Sequence, residues 1–592
     1  MPQPIYSQGA RWNLEALLPA NNPEALATAL EVYEKKVAYV ESWRDKLRSD
    51  LSGQAFIALL DACEAMAREE RRLLAFAQLC FAADTQDQAA IALLSRLEEI
   101  SAQVHNRTLF FSLWWKGLDP EAAQRLLADA GDRRYWLESL RRFRPHTLSE
   151  EEEKIINLKN VNGVNALETL YQMITNKFTY TLEVDGEKRT LTRDALMSYV
   201  QQPDAQLRAA AYQELYRVYA EHAPILAQIY THLVRDWYTE QVSLRGFSSP
   251  IAVRNLHNDL PDSVVETLLQ VIVEQAPVFQ RYFRLKARLL GLSRLRRYDL
   301  FAPLSRSQKE YPYPQAVEMV LDTFTQFAPQ VGALAWQVFD EGHVDAGIRP
   351  GKRSGAFCLS VFPDIAPWVL LNYNSCPNDL LTLAHEMGHA VHSLLAGEHS
   401  LLTFHATLPL AETASVFAER LLSERLLEQE KDASARCDLL SHALDKAYAS
   451  IGRQGFFALW EKEAHQLIRE GRTAAEMADR YRETLYAQFG DAVDVSNDFR
   501  WEWISIPHFY ETPFYVYAYA FGNLLVLALF RMFQKEGEAF KARYLKILGY
   551  GGSAAPLHIL SEAGIDVTSA DFWRGGYEVI NTMIDELEAL VG

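Results

Sequence analysis

Leu381-Thr382-Leu383-Ala384-His385-Glu386-Met387-Gly388-His389-Ala390-Val391-His392 is the stretch from which the rest of the chain can be read. The run from Asp379 to Leu395 contains no proline, Asn378 or Asp379 is placed to cap its start, and Gly397 lies just past its end. These signals describe a helix. Residues four apart share a helix face, so the imidazoles of His385 and His389 can reach one Zn²⁺ about 2.0–2.1 Å from each nitrogen. Glu386, one step round from His385, can then take a proton from a metal-bound water whose pKa is drawn towards roughly 7. That is the chemistry of peptide-bond hydrolysis. The competing reading is a surface helix that happens to carry two of the 15 histidines. The helical context of the motif argues against it.

A catalytic zinc needs a third protein ligand and one open position. A metzincin would carry Gly at 392 and His at 395; His392 and Leu395 exclude that class. Glu398 follows the first helix too closely to fold back. Glu412, in Leu408-Pro-Leu-Ala-Glu412-Thr-Ala-Ser415, sits early in the next helix, which can return antiparallel and present a carboxylate. Glu419, two turns on, reads equally as a surface acid or as a group backing a ligand. His392, His399 and His405 read as structural.

With 592 residues, 49% of them hydrophobic, the chain can bury a large core, and no linker, repeat or low-complexity tract marks a cut. One integrated body of two lobes is expected. A net charge of −18 argues against a nucleic-acid partner. The basic clusters Arg141-Arg142-Phe-Arg144 and Arg294-Leu-Arg296-Arg297 read as solvated faces. Five cysteines (Cys63, Cys80, Cys358, Cys376, Cys437), odd in number and without CxxC spacing, suit free and mostly buried thiols in a reducing compartment. Met1-Pro-Gln-Pro-Ile-Tyr-Ser7 lacks the pattern of a signal peptide. The uncharged run Thr512–Phe530 approaches a membrane-spanning length. Its Pro513, Gly522, Asn523 and tyrosines fit a buried helix lining a cavity better. A soluble cytoplasmic protein, without membrane contact, is the expectation.

Helical periodicity runs over 22–48, 54–84 and 86–116, then 204–242 and 263–290. Asp185-Gly186 between β-prone runs over 178–190 signals a hairpin. Ser354–Val361 and Trp368–Tyr373 read as two strands just before the metal helix, suited to holding an extended peptide by strand addition. Helices dominate thereafter. The fold class is mostly α, with a small β-sheet beside the zinc helix.

Glu412-x-x-Ser415 following His-Glu-x-x-His at this distance resembles the M3 family of zinc metallopeptidases, in its oligoendopeptidase F branch. Trp12-Asn-Leu, Tyr298-Asp-Leu-Phe-Ala-Pro303, Gly351-Lys-Arg-Ser-Gly-Ala-Phe357 and Ile506-Pro-His-Phe-Tyr510 extend the resemblance along most of the chain. It implies a two-lobed helical body with a deep central channel, the zinc at its floor, open to short unfolded peptides. It also implies an N-terminal helical region over 1–110, an oligoendopeptidase F N-terminal-type region over 111–200 and the catalytic region over 201–592. Gly355 and Ala356 are expected to bind substrate. In the stretch His508-Phe-Tyr510-Glu-Thr-Pro-Phe-Tyr515-Val-Tyr517-Ala-Tyr519, a phenol aimed at the scissile carbonyl oxygen would stabilise developing charge. Tyr517 is favoured for that role with His508 as partner, and Tyr510 and Tyr515 for substrate contact. The chain departs from the mammalian pattern in carrying Phe514 where a tyrosine would fall.

The resulting expectation is a zinc endopeptidase for oligopeptides, with one Zn²⁺ per chain held by His385, His389 and Glu412. Its rivals are a zinc carboxypeptidase of similar helical build and a non-catalytic peptide-binding protein.

Overall fold

The computed structural model describes residues 9, 11–19, 22–304 and 309–591. The N-terminal run read for a signal peptide lies outside them. The chain is mostly helical, and its strands are few and short. Helices form where the sequence places cap and period together. Asn22 accepts from the Ala25 amide at the head of Pro23–Glu41, Ser52 caps Gly53–Ala83, and Asp87 caps Gln88–Gly117. The first of these stops at Glu41, short of the expected 48, and a 3₁₀ turn takes over at Arg44–Lys46. The expected helix over 263–290 is two, Asp262–Glu274 and Ala276–Leu289, because Pro277 forces a fresh first turn. The hairpin is Tyr180–Val184 paired antiparallel with Glu187–Leu191; its two turn residues, Asp185 and Gly186, both have positive φ.

Two compact units emerge, each assembled from three separated chain segments. The first comprises Met1–Glu150, Gln308–Leu426 and Phe533–Ile565; the second comprises Glu151–Ser307, Leu427–Met532 and Asp566–Gly592. In the first unit, Trp12, Tyr33, Phe76, Trp368, Leu370 and Phe404 share one core. A three-stranded sheet rests on it. Val344–Asp345, missed in the sequence because two residues show no period, runs parallel to Trp368–Leu370, and Phe357–Leu359 runs antiparallel on the other side. Lys352 locks this region together: its buried ammonium donates to the Asp345 carboxylate (2.7 Å) and to the carbonyls of Gly347 and Leu371.

In the second unit Glu502 is fully enclosed and accepts from Arg297, Arg453 and the Tyr481 hydroxyl. Arg297 is therefore a core ion-pair partner and not part of a solvated face, which corrects the sequence reading of that cluster. Of the cysteines only Cys63 is buried; the other four are half-buried, and all five are free. Thr512–Phe530 contributes most of the buried helix Tyr517–Glu536. Among the described residues no helix is long and apolar enough to cross a membrane.

Candidate active site

The motif helix spans Pro377–Leu395. Its cap is Cys376, not Asn378 or Asp379; Asp379 sits in the first turn and its carboxylate accepts from the Asn374 and Cys376 amides. This closes the helix start and fixes its rotation. Gly388 has a packing duty that the motif alone does not announce. A Cβ there would lie 2.7 Å from the Ala414 carbonyl oxygen and 2.7 Å from the Ser415 Cα. Only glycine lets the chain bearing Glu412 press against this face of the helix.

Glu412 stands at the junction between a short helix, Leu408–Ala411, and Thr413–Gln429, one position before the helix in which it was expected. The Ser415 hydroxyl donates to its carboxylate at 2.7 Å, which explains the Glu-x-x-Ser spacing as an orienting contact. Glu412 Oε2 lies 3.3 Å from His385 Nε2 and 3.6 Å from His389 Nε2, and the three donor atoms fall within 4.8 Å of one another. Ligands about 2.0–2.2 Å from a tetrahedral Zn²⁺ are separated by roughly 3.3–3.5 Å. Two imidazoles and a carboxylate at this spacing fit such an ion, with one position left for water or substrate.

Behind the ligands, Glu419 Oε2 lies 3.3 Å from His385 Nδ1, and Glu419 is only 7% exposed. The surface-acid reading of Glu419 therefore fails; it backs a candidate ligand, as ligating histidines commonly require. Burial pushes the His385 imidazole down, but Glu412 and Glu419 outweigh it and raise the ring to about 9. Burial likewise raises the Glu412 carboxyl, and His385, His389 and Ser415 pull it down to about 2. Burial takes His389 to about 4. The cavity thus concentrates negative charge beside two nitrogen donors.

Glu386 lines the same cavity, of about 490 Å³, together with His392 and the strand residues Phe357, Cys358 and Leu359. That strand is the edge of its sheet, so one row of its backbone groups is left for an added strand. Ala356 also lines the cavity. Gly355, at φ 82°, does not; Asn372 holds its carbonyl at 2.8 Å. His399 is structural, bonded to Asp132 and to the Gly549 carbonyl.

The aromatic stretch lies in the second unit, and the structure sorts its members differently from the sequence reading. His508 packs against Tyr515 and Tyr519, with ring centroids 5.9 and 5.8 Å away, and its Nε2 is 3.3 Å from the Tyr519 hydroxyl. All three are half-buried. Tyr517 is not beside His508: it is fully buried, and its hydroxyl accepts from Asn258 at 2.8 Å. Tyr510 is also in the core, stacked on Tyr171 at 3.7 Å, with its hydroxyl on backbone carbonyls. The reason is angular. Tyr517 and Tyr519 are two residues apart on one helix, roughly 200° around its axis, so they cannot face the same way. Tyr519 is unassigned in the sequence reading, and that spacing shows only that it and Tyr517 face different ways.

Comparison with known proteins bears directly on this constellation. The pattern described as Peptidase family M3 matches residues 198–579, a span that includes His385, Glu386, His389, Glu412 and the aromatic stretch. This chain belongs to peptidase family M3. A second pattern, described as Oligopeptidase F, matches residues 114–180 of this metallopeptidase. The family member is 26% identical to Oligopeptidase PepF of Bacillus subtilis, over 98% of this chain and 87% of that one. It is 30% identical to Group B oligopeptidase PepB of Streptococcus agalactiae, over 77% and 76% of the two chains. Its fold is similar to the crystal structure of oligoendopeptidase-F from Enterococcus faecium (TM-score 0.72, 24% identity, covering 95% of this chain and 98% of that one).

Proposed function

We propose that this peptidase is a zinc-dependent endopeptidase that cleaves internal bonds of short unfolded oligopeptides in the cytoplasm, without nucleic-acid or membrane partners. The observation that carries this reading is the convergence of His385, His389 and Glu412, with Glu386 in the same cavity beneath an unpaired strand edge. His385, His389 and Glu412 would hold the ion. A bound Zn²⁺ supplies a Lewis acid that polarises a carbonyl and acidifies water. Glu386 takes a proton from the attacking water and passes it to the leaving amine. Glu419 keeps the His385 ring oriented through its Nδ1. The edge strand Phe357–Leu359, entered through Gly355 and Ala356, aligns the peptide backbone by strand addition. A phenol beside His508 donates to the oxygen on which negative charge develops. Exposure and contact favour Tyr515 or Tyr519 for that hydroxyl over Tyr517, while the burial of Tyr510 and Tyr517 suits them to holding the segment in place. Residues 1–110, 111–200 and 201–592 remain the functional division we assign.

The test is a peptide blocked at both ends, digested with and without a zinc chelator by the parent protein and by Glu386→Gln. Internal cleavage that the chelator abolishes is expected, since a carboxypeptidase needs a free C-terminus. Glu386→Gln should keep its zinc and lose about 10²–10⁴ in turnover, because the amide cannot accept a proton. Near-normal turnover by a zinc-loaded Glu386→Gln protein would remove Glu386 from its role. Absence of cleavage unless the C-terminus is freed would favour the carboxypeptidase.

A further inference from the structure

The turn just before Tyr515 holds a strained residue. Among the described residues, Asp185, Asp259, Ser375 and Phe514 are the non-glycine residues with positive φ. The first three are short and polar, which that region tolerates. Phe514, at φ 58° and 1% exposed, is bulky. Such strain persists only where the surroundings over-determine it, and it gathers at working sites. Here the surroundings are specific. The peptide group joining Pro513 to Phe514 is held at both ends: Arg254 Nε donates to the Pro513 carbonyl at 3.2 Å, and the Phe514 amide donates to Glu461 Oε1 at 2.8 Å. Phe514 can return to negative φ by turning this peptide, which breaks both bonds, or by turning the next one, which carries Tyr515 away.

Glu461 is fully buried and in no ion pair among the described residues; burial raises its carboxyl to about 8, against the pull of the Phe514 amide and Arg254. Burying an acid costs stability. An acid buried to meet one backbone amide is therefore better explained by geometry than by stability. The helix Pro250–His257, which carries Arg254, acts a second time: Asn258, at its end, donates to the Tyr517 hydroxyl at 2.8 Å. The chain is thus anchored at 513, 514 and 517, on both sides of Tyr515. Tyr515 itself is half-buried, 5.9 Å from the His508 ring and 5.2 Å from the Tyr519 ring. Every one of these residues belongs to the second unit.

We propose that Arg254 and Glu461 are positioning residues for the peptidase reaction, clamping the 513–514 peptide so that Tyr515 meets His508 and Tyr519. The part this plays in turnover rests on the reading that a phenol beside His508 serves the reaction; the clamp itself does not. The candidate metal ligands lie in the first unit, so losing the clamp leaves them in place.

The experiment compares Glu461→Leu, which removes the acceptor, with Glu461→Gln, which keeps an oxygen there. Arg254→Met, at a half-buried position, carries the test should Glu461→Leu not fold. The full-length, metal-replete proteins are measured by kinetics on one quenched fluorescent peptide and by amide hydrogen exchange over 512–519. Glu461→Leu and Arg254→Met should exchange at least about tenfold faster there. Both should lose at least about tenfold in kcat, with KM within about twofold and bound metal unchanged. Glu461→Gln should stay within about threefold of the parent in exchange and in kcat. Added to Tyr515→Phe or Tyr519→Phe, whichever lowers kcat, Glu461→Leu should cost little more, because the hydroxyl it aims is already gone. Fully additive losses overturn the positioning role, as do a normal kcat beside fast exchange, a loss of bound metal, or a Glu461→Gln protein as poor as Glu461→Leu. Unchanged exchange in both Glu461→Leu and Arg254→Met overturns the clamp. If neither Tyr515→Phe nor Tyr519→Phe lowers kcat, the phenol reading falls and takes the clamp's part in turnover with it, while exchange still decides the clamp.

Discussion

The metal-ligand cavity of the first unit and the His508 face of the second are both organised around imidazoles, and they hold them by different forces. His385 is flanked by carboxylates on both ring nitrogens, Glu412 at 3.3 Å and Glu419 at 3.3 Å. His508 is instead gripped by two phenol rings, at 5.9 and 5.8 Å, with burial pushing its pKa down. A site fixed by charge depends on every carboxylate, since removing one leaves the others unbalanced in a buried place. A site fixed by ring packing tolerates the loss of a hydroxyl structurally, and only its chemistry suffers. The contrast therefore separates mutations that empty a site from mutations that disable it.

The sharpest way to break this contrast is Glu412→Ala beside Glu419→Ala. Glu412→Ala leaves two imidazoles and should lose zinc on dialysis, with activity falling to background. Glu419→Ala should retain the metal and weaken its affinity by about 10–100-fold. If the bound-zinc measurement comes out the other way round, the two carboxylates have been assigned in reverse. In the second unit, Tyr515→Phe and Tyr519→Phe should leave fold and zinc content intact. The one that donates to the oxyanion should drop kcat by about 10²–10³ with little change in KM. Tyr517→Phe should lower thermal stability, through an unpaired Asn258, and spare kcat. A collapse of kcat in Tyr517→Phe alone would restore Tyr517 as the donor.

Gly388→Ala probes the first unit by crowding and leaves its charge unchanged. The added methyl meets backbone at 2.7 Å and must push Glu412 away from the histidines. Overpacking of this kind costs about 1–3 kcal/mol, and zinc affinity should fall with stability in the same protein. Unchanged zinc affinity would show that the contact is not needed for the ligand geometry.

The smallest effect is a pH dependence away from the catalytic groups. Burial raises the Asp132 carboxyl, but the His399 ring, the Thr403 hydroxyl and the Ser400 amide hold it at about 2. Its contribution is present above the ordinary carboxylate pKa of about 3.9 and is lost as pH falls through the folded value. His399 is raised by Asp132, so its contribution is full below about pH 6.5 and fades as pH rises through its folded pKa. Asp132→Asn should therefore destabilise most between about pH 4 and 6.5, by no more than about 1 kcal/mol at this partly exposed position. Denaturant melts at three pH values measure it; a penalty that grows above pH 8 contradicts the pairing.

The motif helix was legible because its proline-free run and its chemistry coincide within a dozen residues; its cap was misplaced, falling at Cys376 and not at Asn378 or Asp379. The position of Glu412 was legible to within one residue, and Ser415 marked it. What escaped the sequence depended on distant chain. Gly388 matters only because Ala414–Ser415 passes it, and Glu419 becomes informative only when its helix is seen to reach His385. The tyrosine run misled because a left-handed residue, Phe514, interrupts it. No simple period carries across such a turn, so the ranking of Tyr510, Tyr515, Tyr517 and Tyr519 could not be read by spacing from His508. The short strand Val344–Asp345 exists by virtue of its partner, and two residues hold no period of their own.

Beneath the Glu412 junction, Tyr544 stacks on Phe417 at 4.2 Å and its hydroxyl donates to the Thr413 carbonyl. Tyr544 belongs to the third segment of the first unit, more than a hundred residues later in the chain. During synthesis the histidines and both carboxylates thus leave the ribosome long before the floor that braces them. A nascent chain carries the candidate ligands without the Tyr544 contact until the third segment of the first unit has been made.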